Sequence, residues 1–146
     1  MPDRDSFKKS CNAHLKSAKI LMRAEDWEAA AYMLGHALEC ALKALICNKL
    51  QLSSYPEKKH FKTHEFVELK VLAGLNKIFS PSGNADEFNS WSAFISEYPD
   101  NWVSMRYQIP SSSTAPRVWD ETKVKSLYNN LTDPQTGVLR VIKKRW

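Results

Sequence analysis

The longest apolar run of the chain, Trp27 to Leu50, predicts a helix at the centre of the fold. Because this run is apolar on most sides of a helix, neighbouring elements must cover it on several sides. At roughly 100° per residue, its polar residues fall within about 80° of one another: Glu28, Tyr32, His36, Glu39 and Lys43. The central helix therefore carries one narrow polar stripe, which must meet water, a paired chain or a functional site.

A second helical pattern precedes this run. It is predicted from about Asp5 or Ser6 to Ala24, with its apolar residues at helical spacing: Phe7, Cys11, Leu15, Ala18 and Met22. Asp26 is well placed to cap the following helix. Two long helices joined by so short a link must lie antiparallel, so an αα-hairpin is predicted as the framework.

Apolar residues also occur at helical spacing in the rest of the chain. Further helices are predicted at Thr63 to Phe79, with Thr63 as the cap, at Ala85 to Tyr98, and from near Asp120 to Trp146 with a break at Asp133-Pro134. No run alternates with period two for long enough to indicate a strand. The pattern predicts an all-α single domain over residues 1–146, an antiparallel bundle of four or five helices.

Composition favours an intracellular setting. The three cysteines are odd in number and include no Cys-x-x-Cys pair, which excludes a zinc ribbon and favours a reducing cytoplasm. The first residues, MPDRDSFKKSCN, lack the apolar region of a signal peptide, and the polar stripe interrupts the central apolar run. We therefore expect a cytoplasmic protein that does not enter a membrane.

Positive charge is concentrated in two places. The net charge is +5 and the sequence pI is about 9.1. The cations gather on one side of the first helix and near the C-terminus: Lys8, Lys9, Lys16, Lys19 and Arg23, and then Arg140, Lys143, Lys144 and Arg145. Two interpretations stay open, namely solvated helix faces with a favourable helix dipole and a phosphate-binding surface.

Two groups of residues are candidates for chemistry. His36, Glu39 and Lys43 are spaced i, i+3 and i+7, so they can interact along one ridge, either as a structural ladder or as a site. Arg106 and Tyr107 follow an aromatic segment and precede a Pro- and Ser-rich stretch, where a guanidinium suits anion binding.

A metal site is not expected. His60 and His64 have an H-x-x-x-H spacing, but His60 lies before the predicted cap and no cysteine is near. His64 is better explained as a helix-start residue that can turn towards the central ridge. No Gly-rich phosphate-binding motif is present, and no cofactor is expected.

These motifs together resemble one known family. The segment AYMLGHALECALKAL, then Thr63-His64-Glu65-Phe66, and later Met105-Arg106-Tyr107 are similar to the HEPN domain superfamily. The resemblance implies a helical bundle that pairs as a homodimer. Many members resemble metal-independent endoribonucleases, found as toxins beside a nucleotidyltransferase-type antitoxin or in defence systems. Their motif is Arg, a polar residue and a His, with four to six positions between the Arg and the His.

This chain departs from that motif because no histidine follows His64. The leading expectation is a non-catalytic or atypical HEPN protein whose ligand is the phosphate of a nucleotide or RNA. The expected ligand-binding residues are His36, Glu39, Lys43, Arg106 and Tyr107. One alternative is a ribonuclease toxin with a rearranged pair drawn from Arg106, His36 and His64. Another is a structural helical adaptor.

Overall fold

Six α-helices and one 3₁₀ helix make up the part of the chain that the structure describes. The computed structural model describes residues 2–107 and 119–146, and the side chains of Arg106 and Tyr107 lie outside that description. The helices are α1 (Arg4–Arg23), α2 (Trp27–Lys49), α3 (Phe66–Leu72), α4 (Ala85–Ile95), the 3₁₀ helix (Trp102–Tyr107), α5 (Glu121–Thr132) and α6 (Val138–Lys143). Within the described ranges there is no strand, so the predicted all-α class is confirmed.

The predicted αα-hairpin of α1 and α2 is the framework of the bundle. Asp3 caps α1 by accepting a hydrogen bond from the Ser6 amide at 2.8 Å. The link between the helices turns at Glu25, whose φ is 59°, in the left-handed region. Asp26 then caps α2 as predicted, with its carboxylate 3.4 Å from the Ala29 amide nitrogen.

Helix α2 is the core of the molecule. Thirteen of its residues are buried, and it is packed by α1, α3, α5, α6 and the 3₁₀ helix. By length and composition it could cross a membrane, but 72% of its most apolar window is buried inside the bundle. The other helices of the same chain therefore cover the apolar faces that the sequence predicted would need partners.

The later helices are shorter than predicted. Helix α3 begins at Phe66, because the Thr63 hydroxyl accepts from the Glu65 amide in a local turn instead of capping the helix. It ends at Leu72, before Gly74 takes a φ of 74°. Helix α4 ends at Ile95 instead of Tyr98. The predicted break at Asp133-Pro134 is confirmed, but only Val138–Lys143 is α-helical after it.

Asn48, near the end of α2, joins both ends of the described chain. Its side-chain amide donates to the Arg145 carbonyl at 2.6 Å. Its side-chain oxygen accepts from Arg4 Nη1 at 2.9 Å. The start of α1 and the segment after α6 therefore meet at one end of the central helix.

Candidate functional site

A polar cluster on α2 is centred on Glu39, a buried carboxylate with only 6% of its side chain exposed. Its Oε1 accepts from Lys43 Nζ at 2.9 Å and from His64 Nδ1 at 2.7 Å. We call His36, Glu39, Lys43 and His64 the Glu39 cluster. The structure thus brings three predicted residues of the ridge together with His64, whose turn towards the ridge was also predicted from the sequence.

The second oxygen of Glu39 is less well satisfied. Glu39 Oε2 lies 3.7 Å from His36 Nδ1, which is too long for a hydrogen bond. It has no hydrogen-bond partner among the residues that the structure describes. A buried carboxylate oxygen in this state can accept one more donor without breaking an existing contact.

His64 is oriented as a proton-transfer group would be. When Glu39 is ionised it only accepts hydrogen bonds, and the proton of this contact is then on His64 Nδ1. Half of the His64 side chain is exposed, at 51%. In the neutral ring, Nε2 is then left as the acceptor nitrogen, which is the arrangement of an acid–base histidine held by a carboxylate.

His36 lies in an aromatic enclosure. Its ring centroid is 4.5 Å from Tyr32, 4.9 Å from Trp102 and 5.4 Å from His14. Burial lowers the pKa of His36 below its usual value, against the opposing effect of Glu39. Burial also lowers the pKa of His14. Both rings are therefore mainly neutral at pH 7, when each can both donate and accept a hydrogen bond.

Trp102 connects this cluster to the 3₁₀ helix. Its Nε1 donates to the His64 carbonyl at 2.7 Å, and its ring stacks on Phe66 with centroids 5.1 Å apart. A Cβ added at Gly35 would lie only 2.8 Å from Trp102 Cζ3, so the absence of a side chain at Gly35 lets the indole pack closely against α2.

Arg106 and Tyr107 end the 3₁₀ helix that Trp102 begins. Because Trp102 packs on α2 beside His36, the backbone of this short helix is adjacent to the Glu39 cluster. The structure describes the backbone of Arg106 and Tyr107 but not their side chains, so the predicted roles of those side chains stay predictions.

Sequence reasoning missed His14 and Trp102 as members of this region. His14 lies between Cys11 and Ala18, two buried residues of α1, so its helical spacing placed it towards α2. Nothing in the sequence gave Trp102 its place beside His36, because the two are joined only by tertiary packing.

Two cysteines of the bundle are not activated as nucleophiles. Burial raises the pKa of Cys40 to about 11 and that of Cys11 to about 12, so both are thiols at neutral pH. Across residues 2–107 and 119–146, no three groups of metal-binding type are placed to share an ion. His60 is exposed.

The comparisons with known proteins bear on the family. A model of the HEPN domain matches residues 6–131, which include α2, His64 and the 3₁₀ helix. The comparisons with curated proteins and with solved structures gave no match. The match covers most of the chain, agrees with the all-helical fold and confirms the resemblance seen in the sequence. The chain therefore belongs to the HEPN domain family.

Proposed function

We propose that this HEPN protein binds the phosphate group of a nucleotide or RNA at the Glu39 cluster, with Arg106 as a further cation. The observation that carries the proposal is the buried Glu39 carboxylate, which holds the half-exposed His64 and the largely buried Lys43 side by side. Burying a carboxylate on the central helix is costly unless its partners are well placed. Here the carboxylate fixes the position of His64, which reaches the surface, and of Lys43, of which 13% is exposed.

The hydrogen-bond donors of the cluster, and not its net charge, support an anionic ligand. Lys43 offsets the charge of Glu39 and still has two further N–H donors, since an ammonium carries three. Lys43 Nζ also lies 5.1 Å from the centre of the Tyr55 ring, which restricts where the ammonium can move. Arg106 would add a second, forked set of donors suited to phosphate oxygens.

The His64–Glu39 pair favours a second candidate, a metal-independent endoribonuclease. A half-exposed imidazole held by a buried carboxylate can take the proton of an attacking 2′-hydroxyl. Arg106 would then stabilise the charge that develops on the phosphorus oxygens. This arrangement would replace the missing Arg-to-His motif with groups from two distant segments.

The family resemblance alone supports a cellular context. In that context the chain acts with a nucleotidyltransferase-type partner, in a toxin–antitoxin pair or another defence system. A structural adaptor is the remaining alternative, in which the Glu39 cluster is only a polar seam between helices.

We also propose a homodimer, and its expected interface is the outer side of α3. Val67 and Val71 are one helical turn apart and each is 54% exposed. Because α3 begins two residues after His64, pairing there would bring the clusters of two copies close together. Sedimentation equilibrium at micromolar concentration should give twice 16.8 kDa, and Val71→Glu should give monomers. A monomeric wild-type protein would contradict the prediction.

The central test replaces Arg106. Arg106→Ala should weaken the binding of adenosine monophosphate, measured by calorimetry, by about 1.5 to 3 kcal/mol, the scale of a charged hydrogen bond. Arg106→Lys keeps the positive charge but not the forked N–H donors of the guanidinium, so it should lose less affinity for the nucleotide than Arg106→Ala. Both variants should melt close to the wild type. A lowered melting temperature with unchanged nucleotide binding would refute the binding site and leave the structural adaptor.

The same panel decides between binding and cleavage. Single-stranded RNA is incubated with protein in a metal chelator, using His64→Ala and its matched control, His60→Ala, an exposed histidine four residues earlier. A ribonuclease would cleave in the wild type and in His60→Ala, but not in His64→Ala or Arg106→Ala. Intact RNA in every sample would exclude the ribonuclease candidate.

A further inference from the structure

A groove on the side of α1 towards α5 and α6 carries a strong positive charge. Its volume is about 650 Å³. It is lined by five exposed cations: Lys16, Lys19, Arg140, Lys143 and Lys144. We call it the α1–α6 groove; no residue of the Glu39 cluster lines it. The two basic segments seen in the sequence are thus brought to one concave surface.

The cations of the α1–α6 groove are not used to hold the fold together by ion pairing. None of the five forms a salt bridge with a carboxylate in the described parts of the chain. The one carboxylate that lines the groove, Asp133, accepts hydrogen bonds from the Gln135 and Thr136 amides. Like charges gathered in a concave surface raise the local potential and attract anions.

A helix dipole explains only part of this arrangement. Lys143 and Lys144 lie at the C-terminal end of α6, where cations are favoured without any ligand. Lys16 and Lys19, however, lie well inside α1 and face the same groove. The dipole gives no reason for their place, whereas a shared anionic ligand does.

The apolar and aromatic lining indicates which anion fits. Tyr128 of α5 lines the groove, with Lys19 Nζ 5.8 Å from its ring centre. A second groove of about 460 Å³ also contains Lys19 and Tyr128 and extends to Trp27. Its charges are nearly balanced, since Arg23 and Lys125 are accompanied by Glu25 and Glu121. The surface therefore has a cationic part and an adjoining aromatic part.

We propose that the α1–α6 groove binds single-stranded nucleic acid, with phosphates on its cations and bases against Tyr128 and Trp27. Positive grooves with aromatic platforms are the usual means of holding single strands. From Asn12 to Arg23 the two grooves extend about 16 Å along α1, which favours a polymer over a mononucleotide. An acidic peptide would use the cations but would not need both aromatic rings.

The first test removes charge without removing a described contact. Lys16→Ala/Lys144→Ala deletes two groove cations that make no salt bridge or aromatic contact among the described residues. The matched control is Lys49→Ala/Lys77→Ala, two exposed lysines outside both grooves. Binding of a fluorescein-labelled single-stranded RNA of about 12 nucleotides is measured by anisotropy from about 50 to about 200 mM salt.

The groove pair, Lys16→Ala/Lys144→Ala, should bind the RNA about tenfold or more weakly than the wild type at the lower salt concentration. The slope of log affinity against log salt should become shallower by about 1.4, which is two phosphate contacts on a single strand. The control pair should keep the wild-type slope. Equal losses in the two pairs would show that only net charge matters, and no loss in the groove pair would also overturn the proposal.

A second test addresses the bases. Tyr128→Leu should cost at least about fivefold in RNA affinity, while Tyr128→Phe should bind as the wild type does, because stacking needs the ring and not the hydroxyl. The proposal would be overturned if the wild-type protein did not bind the RNA but did bind an oligoglutamate peptide or vesicles of anionic phospholipid. Arg106→Ala tested with adenosine monophosphate reports on the Glu39 cluster alone, so either site can fail without the other.

Discussion

Replacing Glu39 by alanine is expected to lower the free energy of unfolding by about 3 kcal/mol, and hence the melting temperature by about 10 °C. Glu39 is almost fully buried, and its removal leaves the ammonium of Lys43 in a site where only 13% of that side chain reaches water. The loss should stand at the lower end of the range for breaking buried ion pairs, because Lys43 keeps its contact with the Tyr55 ring. Thermal melting followed by circular dichroism measures it.

Two controls separate burial from the mere presence of an ion pair. Glu121 and Lys125 form the same i, i+4 pair on α5, but both side chains are more than half exposed. Glu121→Ala should therefore cost below about 1 kcal/mol. Lys43→Met added to Glu39→Ala removes the stranded charge and should restore part of the lost stability. Equal costs for Glu39→Ala and Glu121→Ala would contradict the account.

Gly35→Ala is expected to destabilise the protein by about 2 kcal/mol, the scale of an overpacked core. In an exposed helix the same change would stabilise by about 1 kcal/mol, because alanine favours helix. Here the new Cβ would lie 2.8 Å from the Trp102 ring. The ring is 1% exposed and fixed by its bond to the His64 carbonyl, so it cannot retreat freely. Melting and near-ultraviolet circular dichroism of the tryptophans measure the change.

A smaller ring should relieve the clash. In the background of Trp102→Phe, Gly35→Ala should be neutral or stabilising, although Trp102→Phe alone loses the indole hydrogen bond. Because Trp102 also begins the helix that carries Arg106, Gly35→Ala should weaken nucleotide binding as well. A Gly35→Ala variant that is more stable than the wild type would disprove the close packing.

The hairpin could be predicted from the sequence because its signals are local. Asp26 is an ordinary cap, and the spacing of Cys11 and Ala18 gave the buried side of α1. The early end of α3 was missed even though Gly74 marks it, since apolar residues continue at helical spacing to Phe79. Thr63 was misassigned because its hydroxyl can satisfy a turn as well as a helix end.

The site could be predicted only in part, because some of its contacts are local in the sequence and others are not. The contact of Glu39 with Lys43 follows from their spacing on one helix. The contact of Glu39 with His64, 25 residues away, depends on how the intervening loop folds back, and sequence spacing does not fix that. The α1–α6 groove likewise arises because α6 returns beside α1, which brings together two basic segments that the sequence shows far apart.

The two hydrogen bonds of the Asn48 side chain, to Arg4 and to the Arg145 carbonyl, have a consequence for how this domain can be built into larger proteins. Both ends of the described chain leave from the same end of α2, about 13 Å along the helix axis from Glu39. Domains whose termini lie close together accept insertion and circular permutation. A short peptide joining the two ends would therefore close the chain into a ring at a point well away from Glu39.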